Sequence, residues 1–324
     1  MTMATKSLSA KQFDLVALGE AMIEFNQTNP DQPNFLQGYG GDTSNAAIAA
    51  ARAGAHVAYL TRLGDDTFGE SLKALWRREG IDMDAIESEQ DGMTGIYFVT
   101  HGPQGHAFTY RRADSAASKM SPEWLSGRPT AQIRQAKWLH ISGISLAISD
   151  SAYETSLSAM RLAKQSETRI SFDSNLRLRL WPLEKAQARI SEAIKHCDLF
   201  LPSLDDMITL TGLTDPQAII DWSHQTGAQQ VVLKLGANGA LISDPGNGLR
   251  MHIPGMQVQA IDATGAGDCF CGNLLARLAL GDNLVEAANY ANAAAALTVQ
   301  GWGAVACLPH AEDVRKFMAA LANA

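Results

Sequence analysis

Short apolar segments alternate with amphipathic segments along most of this chain. Apolar runs of the length of a β-strand occupy residues 13–19, 57–64, 138–143, 169–173, 198–202 and 230–236. Apolar residues with helical spacing lie near 45–54, 67–79, 151–166, 184–196 and 216–226. The alternation predicts an α/β fold, in which helices cover both faces of a mostly parallel central sheet. Ligands of such sheets bind beyond the carboxyl ends of the strands.

The segments at about 20–38 and 92–112 interrupt this alternation, because they lack helical periodicity. The sequence GIYFVTHGPQGHAFTYRR (95–112) is typical of a hairpin, with one strand on either side of the turn GPQG. We expect a small β-sheet that projects from the main sheet, as a lid over an active site or as a dimer contact. An exposed strand edge there favours a homodimer or higher homo-oligomer. Residues 1–12 are expected to be a disordered lead-in, and residues 13–324 a single domain.

Charge and composition restrict the partners of this protein. The chain carries 26 Lys and Arg against 34 Asp and Glu, which gives a formal charge of −8, and it has no lysine-rich block. A nucleic-acid partner would require a basic face, so none is expected. No apolar run approaches the roughly 18 residues that a membrane helix needs, and the start MTMATKSLSAKQF lacks the apolar core of a signal peptide. We therefore expect a cytoplasmic protein without a membrane partner, whose four cysteines are buried free thiols.

The segment DATGAGD (262–268) places small residues and an acid directly before a helical pattern. The apolar residues of that helix share one face: Phe270, Leu274, Leu275 and Leu278. Free N–H groups at a helix start bind anions, and glycines let a phosphate approach the backbone. Gly265, Ala266 and Gly267 would therefore stabilise a transferring phosphoryl group, while Asp268 would orient a hydroxyl and accept its proton. The alternative is an ordinary turn with an acidic cap.

Two common nucleotide-binding motifs are absent from the chain. The pattern GxxxxGK[ST] fails because Glu70 stands where Lys is required after Gly64 and Gly69. The pattern GxGxxG fails because Phe270 takes the third glycine position after Gly265. A phosphate-transferring protein with this sequence is therefore neither a P-loop nor a Rossmann enzyme.

DATGAGD resembles the C-terminal signature of the ribokinase-like (PfkB) carbohydrate kinases. GYGGDTSNAAIAAARAG (38–54) is similar to their N-terminal signature, and LGDDTFGE (63–70) is similar to a third block of the family. The three blocks follow the family order and spacing over nearly the whole chain. The resemblance implies a ribokinase-like three-layer α/β/α fold with a small β-sheet lid, and an activity that depends on ATP and Mg²⁺. Several relatives place a monovalent cation such as K⁺ beside the loop, which implies a role for Asp262 there.

A narrower resemblance lies in GGDTSN, TGIYFV, TYRRADSAAS, LHISGISLAIS and FDSNLRLRLWP, which look like 2-keto-3-deoxygluconate kinases within that family. It implies phosphorylation of this sugar acid at its terminal 6-hydroxyl. Because a planar guanidinium binds a carboxylate with two hydrogen bonds, Arg112 and Arg177 are the candidates to bind the acid group. The alternatives are a solvated lid charge for Arg112 and a contact to an ATP phosphate for Arg177.

The same resemblance implies the other contacts to the sugar. Gly41 and Asn45 of the N-terminal signature would meet its hydroxyls. Tyr97 and Tyr110 would line the sugar from the lid, because tyrosine offers both a flat apolar face and a hydroxyl. The alternative for these tyrosines is a half-exposed position in a strand.

The nucleotide side is likewise implied by the resemblance. Its residues are Asp173, Asn175, Ser203, Lys234, Gly236, Gly239, Gly265, Gly267 and Asn292. Asp206 is implied to hold Mg²⁺ through water, at a position where many relatives carry the longer Glu. For Asn292 the alternative is a position on the surface of a helix.

Two departures from the relatives concern substrate choice. Trp302 stands where some 2-keto-3-deoxygluconate kinases carry an acid, and Arg111 stands where relatives often place an aromatic residue. A kinase for a neutral sugar such as fructose, or for a nucleoside, is therefore the first alternative. A sugar-acid-binding protein without catalysis is the second, although such a protein has no need for Asp268.

Overall fold

The computed structural model describes residues 11–29, 31–102 and 105–322. Its strands, in chain order, are β1 (Phe13–Leu18), β2 (Met22–Gln27), β3 (Phe35–Gly40), β4 (Val57–Leu60), β5 (Arg62–Gly64), β6 (Glu87–Glu89), β7 (Gly95–Gly102), β8 (Gly105–Arg111), β9 (Ala136–Ser142), β10 (Arg169–Asp173), β11 (Leu199–Phe200), β12 (Gln230–Lys234), β13 (Ala240–Asp244) and β14 (Leu249–Ile253). Its α-helices are α1 (Asp42–Arg52), α2 (Thr67–Arg78), α3 (Arg128–Arg134), α4 (Gly143–Ala147), α5 (Asp150–Gln165), α6 (Leu183–Ile194), α7 (Leu204–Thr211), α8 (Pro216–Thr226), α9 (Ala266–Leu280), α10 (Leu284–Thr298) and α11 (Ala311–Ala322).

The central sheet contains eight strands in the order β14-β13-β12-β11-β10-β9-β1-β4. The six strands from β12 to β4 pair in parallel, and β13 and β14 extend the β12 edge in antiparallel pairing. The predicted α/β class with a mostly parallel sheet is therefore confirmed.

Two parts of the sheet differ from the expectation. The apolar run 57–64 forms two strands, because the chain leaves the central sheet after β4 and pairs β5 with β6. The antiparallel pair β13 and β14 was not predicted. It turns at Pro245–Asn247 and Gly248, where Gly248 adopts the left-handed conformation with φ 64° that such a turn requires.

Alternating side chains of the central strands point to two separate apolar clusters. Leu15 and Ala17 of β1 pack in the cluster that contains residues of α1, α9 and α10. Val16 and Leu18 pack in the cluster that contains residues of α5 and α6. Helices therefore cover both faces, which gives the three-layer arrangement.

Helices α1 and α9 cross at very short range, and this crossing places much of the candidate site. A Cβ atom added to Gly272 would lie 2.1 Å from the Ala46 carbonyl oxygen and 2.8 Å from the Ala49 Cβ. Only a glycine fits between these backbones. The close approach brings the first turn of α1 against the first turn of α9.

A second sheet contains four strands in the order β3-β2-β7-β8. β2 pairs in parallel with β7, while β3 and β8 form antiparallel pairs at the two edges. These strands come from the two segments that lack helical periodicity, with β3 extending to Gly40. Pro103 and Gln104 of the expected GPQG turn lie outside the described residues.

Most of the expected lead-in, residues 1–10, lies outside the described part of the chain. Lys11 is described, and its Nζ donates hydrogen bonds to the carbonyls of Arg134 and Ser166 at 2.7 and 2.8 Å. Among the helices of the described residues, none combines the length and the apolar character that a membrane crossing demands.

Candidate active site

The loop before α9 has a fixed conformation. Gly265 adopts the left-handed region with φ 76°, and a Cβ atom there would lie 2.9 Å from the Ala304 carbonyl oxygen. Asp262 Oδ1 accepts hydrogen bonds from the Thr264 amide and hydroxyl, and Oδ2 accepts one from the Gly303 amide. The hydrogen bonds of Asp262 therefore stabilise the loop, and glycine is required at position 265.

The N-terminus of α9 lies beside a cation. The Ala266 amide donates within the loop, to the Ala263 carbonyl at 3.2 Å, so Gly267 and Asp268 supply the next amides of the helix start. A Cβ atom on Gly267 would lie 3.6 Å from Lys234 Nζ. Helix amides and an ammonium group therefore converge on one spot, which suits an anion.

Asp268 lies in the first turn of α9, half-buried, and Asn45 Nδ2 donates to its Oδ2 at 2.9 Å. Burial, with the charge of Asp42 as the second cause, raises the pKa of Asp268 to about 7. A carboxyl group with that pKa gains and loses a proton near neutral pH, which suits a general base.

Asp42 was not identified from the sequence as a site residue. It lies one helical turn before Asn45, so both side chains share one face of α1. Its Oδ2 accepts a hydrogen bond from Asn175 Nδ2 at 2.9 Å, and burial raises its pKa. Asp42 Oδ1 and Asn45 Oδ1 are buried acceptors without a hydrogen-bond partner among the described residues. The sequence did offer one indication of its role, because Asp42 precedes Asn45 by three residues and would share its face of a helix.

Asp173 and Lys234 form a buried ion pair at the ends of β10 and β12. Lys234 Nζ lies 2.8 Å from Asp173 Oδ2, and the side chains are 12% and 5% exposed. Burial alone would lower the pKa of Lys234, but the neighbouring Asp173 raises it above its usual value, so the ammonium stays charged. Cys271 Sγ lies 3.4 Å from both partners. Asn175, with an unusual φ of 28°, follows Asp173 closely.

Asp206 is tied to the end of β10. Its Oδ2 accepts hydrogen bonds from Ser174 Oγ at 2.8 Å and from the Leu176 amide at 3.1 Å. Ser203 caps α7 by accepting from the Asp206 amide at 3.2 Å. The described residues contain no group of three or more His, Cys, Asp or Glu that could hold a metal ion. A metal at Asp206 would therefore need ligands from water and from a bound phosphate.

Gly239 and Asn292 lie at the end of β14, and Gly236 lies in the turn that leads to Gly239. Gly236 and Gly239 have φ of 60° and 88°, and a Cβ atom on Gly239 would lie 2.1 Å from the Ile253 carbonyl oxygen. Asn292 Nδ2 donates to that carbonyl and to the Pro254 carbonyl at 3.3 and 3.1 Å. Asn292 is buried, so the alternative of a surface position on its helix is wrong.

Tyr97 and Tyr110 face each other in the second sheet, with ring centroids 5.6 Å apart. Tyr97 is 6% exposed, so the half-exposed alternative fails for this residue. Its hydroxyl donates to Glu24 Oε2 at 2.6 Å, and burial raises the pKa of Tyr97 well above its usual value. Burial also raises the pKa of Glu24. Glu24 was not identified from the sequence.

The two candidate arginines have different surroundings. Arg112 forms a buried ion pair with Glu20 and is therefore not a solvated lid charge. Its Cζ lies 5.9 Å from the centre of the Tyr110 ring. Arg177 is exposed, and its Nη1 donates to the Leu176 carbonyl at 2.8 Å. Arg111, the departure from relatives, is exposed and donates to the Tyr110 carbonyl at 3.1 Å.

Gly41 joins the second sheet to α1. Its φ is 107°, and a Cβ atom there would lie 2.5 Å from the Glu20 carbonyl oxygen. Trp302 is 60% exposed. It lines a small cavity between the second sheet and the loop before α9, together with Glu24, Phe108 and Thr264.

Comparison with known proteins identifies the family. Residues 12–311 match the pfkB family carbohydrate kinase model. The chain belongs to the pfkB family of carbohydrate kinases.

Relatives of this carbohydrate kinase include more than one activity. It is 31% identical over 304 residues to the 2-dehydro-3-deoxygluconokinase of Escherichia coli K12, covering 90% of this chain and 96% of the relative. It is 32% identical over 319 residues to fructokinase-1 of Oryza sativa, covering 94% and 97%. The structure of a Xylella fastidiosa fructokinase with bound ATP superposes with a TM-score of 0.86 at 26% identity, covering 95% of this chain and 99% of the other. The predicted family and the ribokinase-like fold are thereby confirmed, whereas the sugar is left open.

Proposed function

We propose that this carbohydrate kinase transfers the γ-phosphoryl group of ATP, bound with Mg²⁺, to the 6-hydroxyl of 2-keto-3-deoxygluconate. The observation that carries the proposal is the half-buried Asp268 at the start of α9, with Asn45 bonded to it and Lys234 beside the same helix end. The first turns of α1 and α9 thus bring together a base, an anion site and acceptors for sugar hydroxyls.

In the proposed reaction, Asp268 accepts the proton of the sugar hydroxyl. The hydroxyl oxygen bonds to the γ-phosphorus, while the bond from phosphorus to the oxygen shared with the β-phosphate breaks and ADP leaves. Asn45 fixes the orientation of the Asp268 carboxyl. The Ala266 amide is already bonded within the loop, so the amides of Gly267 and Asp268, together with the Lys234 ammonium, would stabilise the negative charge of the transferring group.

The nucleotide and ion sites follow from the other buried contacts. Three residues of the proposed nucleotide site lie near Lys234: Asp173, Asn175 and Ser203. The nucleoside is proposed to bind beside Gly236, Gly239 and Asn292. A single carboxylate with water and phosphate ligands fits Mg²⁺, and Asp206 would supply that carboxylate. K⁺ beside Asp262 is also proposed.

The sugar would lie between α1 and the second sheet. Gly41, Asn45 and the unpartnered oxygen of Asp42 would receive its hydroxyls, and Tyr97 and Tyr110 would line it. Arg112 and Arg177 would bind the carboxylate. The second sheet would act as a lid on a single domain of residues 13–324, with its edge available to a second copy in the cytoplasm.

ADP release tests the proposal directly. The assay compares 2-keto-3-deoxygluconate with fructose, ribose, adenosine and gluconate at equal concentrations, with ATP and Mg²⁺. The proposal expects a strong preference for the keto-deoxy acid, and a loss of that preference in Arg112→Ala and Arg177→Ala. No ADP with any sugar would contradict the kinase proposal and favour a binding protein without catalysis.

A neutral-sugar kinase is the second candidate, and one observation favours it. Glu20 already neutralises the charge of Arg112, which reduces the net attraction that Arg112 offers to an acid. The identity to a fructokinase is also as high as the identity to a 2-dehydro-3-deoxygluconokinase. Preference for fructose, insensitive to both arginine substitutions, would support this candidate.

A further inference from the structure

Glu20 lies at the junction of the two sheets and is 1% exposed. It follows β1 at the carboxyl end of the central sheet, where ligands of such sheets bind. Its main chain is packed against Gly41, at the start of the segment that leads to Asp42 and Asn45. Glu20 is therefore next to the sugar-facing part of the proposed site without being exposed to it.

Both carboxylate oxygens of Glu20 are engaged. Oε2 accepts a hydrogen bond from Arg112 Nε at 2.8 Å and pairs with Arg112 Nη2. Oε1 accepts from Ser115 Oγ at 2.5 Å. A Cβ atom on Gly95 would lie 2.8 Å from Oε1, so glycine at the start of β7 leaves room for this carboxylate. Two chain segments, the start of β7 and residues 112–115, thus surround this one side chain.

These contacts determine where the Arg112 guanidinium lies. Glu20 takes the edge that carries Nε and Nη2, and the Tyr110 ring lies 5.9 Å from Cζ. A guanidinium has five N–H groups, and the two bonds to Glu20 leave three of them for other acceptors. The charge of Arg112 also acts on the Asp42 carboxyl, which belongs to the sugar-facing turn of α1. Arg112 is therefore held between the Glu20 carboxylate and the proposed sugar position.

We infer that Glu20 is a positioning residue for the sugar substrate: it fixes the guanidinium of Arg112, and through Arg112 it sets the affinity for the sugar. This inference rests on the proposed function, because it takes Arg112 to contact the sugar. A guanidinium held on one edge presents the other in a fixed orientation, so less conformational freedom is lost when the sugar binds. The purely structural alternative is an ion pair that only fastens the second sheet to the first.

The test compares the wild type, Glu20→Gln, Arg112→Ala and the double variant by steady-state kinetics. Glu20→Gln keeps an acceptor oxygen and removes the charge. We expect it to raise the KM of the sugar about ten-fold, the scale of one charge-assisted hydrogen bond, with kcat and the KM of ATP within about two-fold. Because Glu20 acts through Arg112, adding Glu20→Gln to Arg112→Ala should raise the KM of the sugar less than about two-fold further. The double variant leaves neither buried charge unpaired, so it also serves as the variant that folds.

Glu79→Gln is the matched control. Glu79 forms a similarly buried pair with Arg52, with side chains 12% and 13% exposed. Arg52 ends α1 about 15 Å along the helix from Asp42, at 1.5 Å per residue. This variant should lower the melting temperature and leave the KM of the sugar unchanged.

The outcomes separate the inference from the proposed function. A wild type that phosphorylates no sugar overturns both. Because a lowered KM would mean that Glu20 only neutralises Arg112, an active wild type whose KM for the sugar is unchanged or lowered in Glu20→Gln overturns the inference alone. So do effects of Glu20→Gln and Arg112→Ala that multiply, or a KM for ATP that rises as much as that of the sugar.

Discussion

Asn45 on α1 donates a hydrogen bond of 2.9 Å to the Asp268 carboxylate on α9, although 223 positions separate them in the sequence. The bond exists because Gly272 lets the two helices cross almost in backbone contact. The two signature segments of the family are therefore one structural unit. The following predictions concern that unit and the charges around it.

Asp268→Asn is expected to lower kcat by roughly two decades or more, on the scale of general-base catalysis. The amide still accepts a hydrogen bond from Asn45 but takes no proton from the sugar. Binding of sugar and of ATP should stay within a few-fold of the wild type, as measured by calorimetry. Turnover near the wild-type rate would show that Asp268 is not the base.

Asp42→Asn is expected to change the pH profile. Asp268 must be unprotonated to act as a base, so kcat/KM should fall as the pH drops below about 7, the pKa of Asp268. The negative charge of Asp42 contributes to that raised pKa, so its removal lowers the pKa of Asp268. The acidic limb of the profile should then move to lower pH, while burial keeps it above the usual range of an aspartate.

The control for this profile is Glu312→Gln on α11. It removes an equal charge from an exposed pair with Lys316, far along the chain. The acidic limb should stay in place. The coupling between Asp42 and Asp268 would be contradicted if Asp42→Asn left the acidic limb of the kcat/KM profile in place, or if both variants moved it equally.

Lys234→Met is expected to reduce the free energy of unfolding by about 3–5 kcal/mol, because it leaves Asp173 as a buried charge without its partner. Urea denaturation measures this loss. The double variant Lys234→Met, Asp173→Asn should regain much of the stability, since no unpaired charge remains. Its kcat should stay low, because the ammonium beside Gly267 is still missing. Recovery of both stability and turnover would mean that the pair is only structural.

Gly272→Ala is expected to force α9 away from α1 and to cost about 1–3 kcal/mol of unfolding free energy, the range for overpacked cores. Activity should fall as well, because the Asn45–Asp268 bond depends on the crossing. Gly246→Ala is the matched control. Its Cβ would meet only Asp244 Oδ1 at 3.4 Å, so it should change stability by less than about 0.5 kcal/mol. Equal effects of the two variants would show that the crossing tolerates a methyl group.

Periodicity was sufficient for the central sheet, because β1, β9, β10 and β12 are apolar runs buried on both faces. It was insufficient for β14, an edge strand whose positions are mostly exposed. It was also insufficient for β13, which is buried but has only three apolar residues before Ser243 and Asp244. The motifs indicated Asn45, Asp268 and Lys234 as site candidates, and the structure places them together.

Contacts between distant segments were not available from the sequence. Glu20 and Glu24 look like alternating polar residues of a strand, and only the tertiary structure buries them against Arg112 and Tyr97. Asp42 likewise looks like an ordinary first residue of a helix. Only the tertiary structure shows that Asn175 bonds to one of its carboxylate oxygens, Oδ2, and that the other, Oδ1, is buried without a partner among the described residues.

The exposure of Trp302 gives this protein a built-in optical reporter. The other five tryptophans are buried or half-buried, whereas Trp302 is 60% exposed beside the cavity between the second sheet and the loop before α9. Its indole therefore dominates the long-wavelength emission of the chain. Movement of the second sheet toward that loop would shield the indole and shift the emission to shorter wavelengths, so closure can be followed in real time without a label.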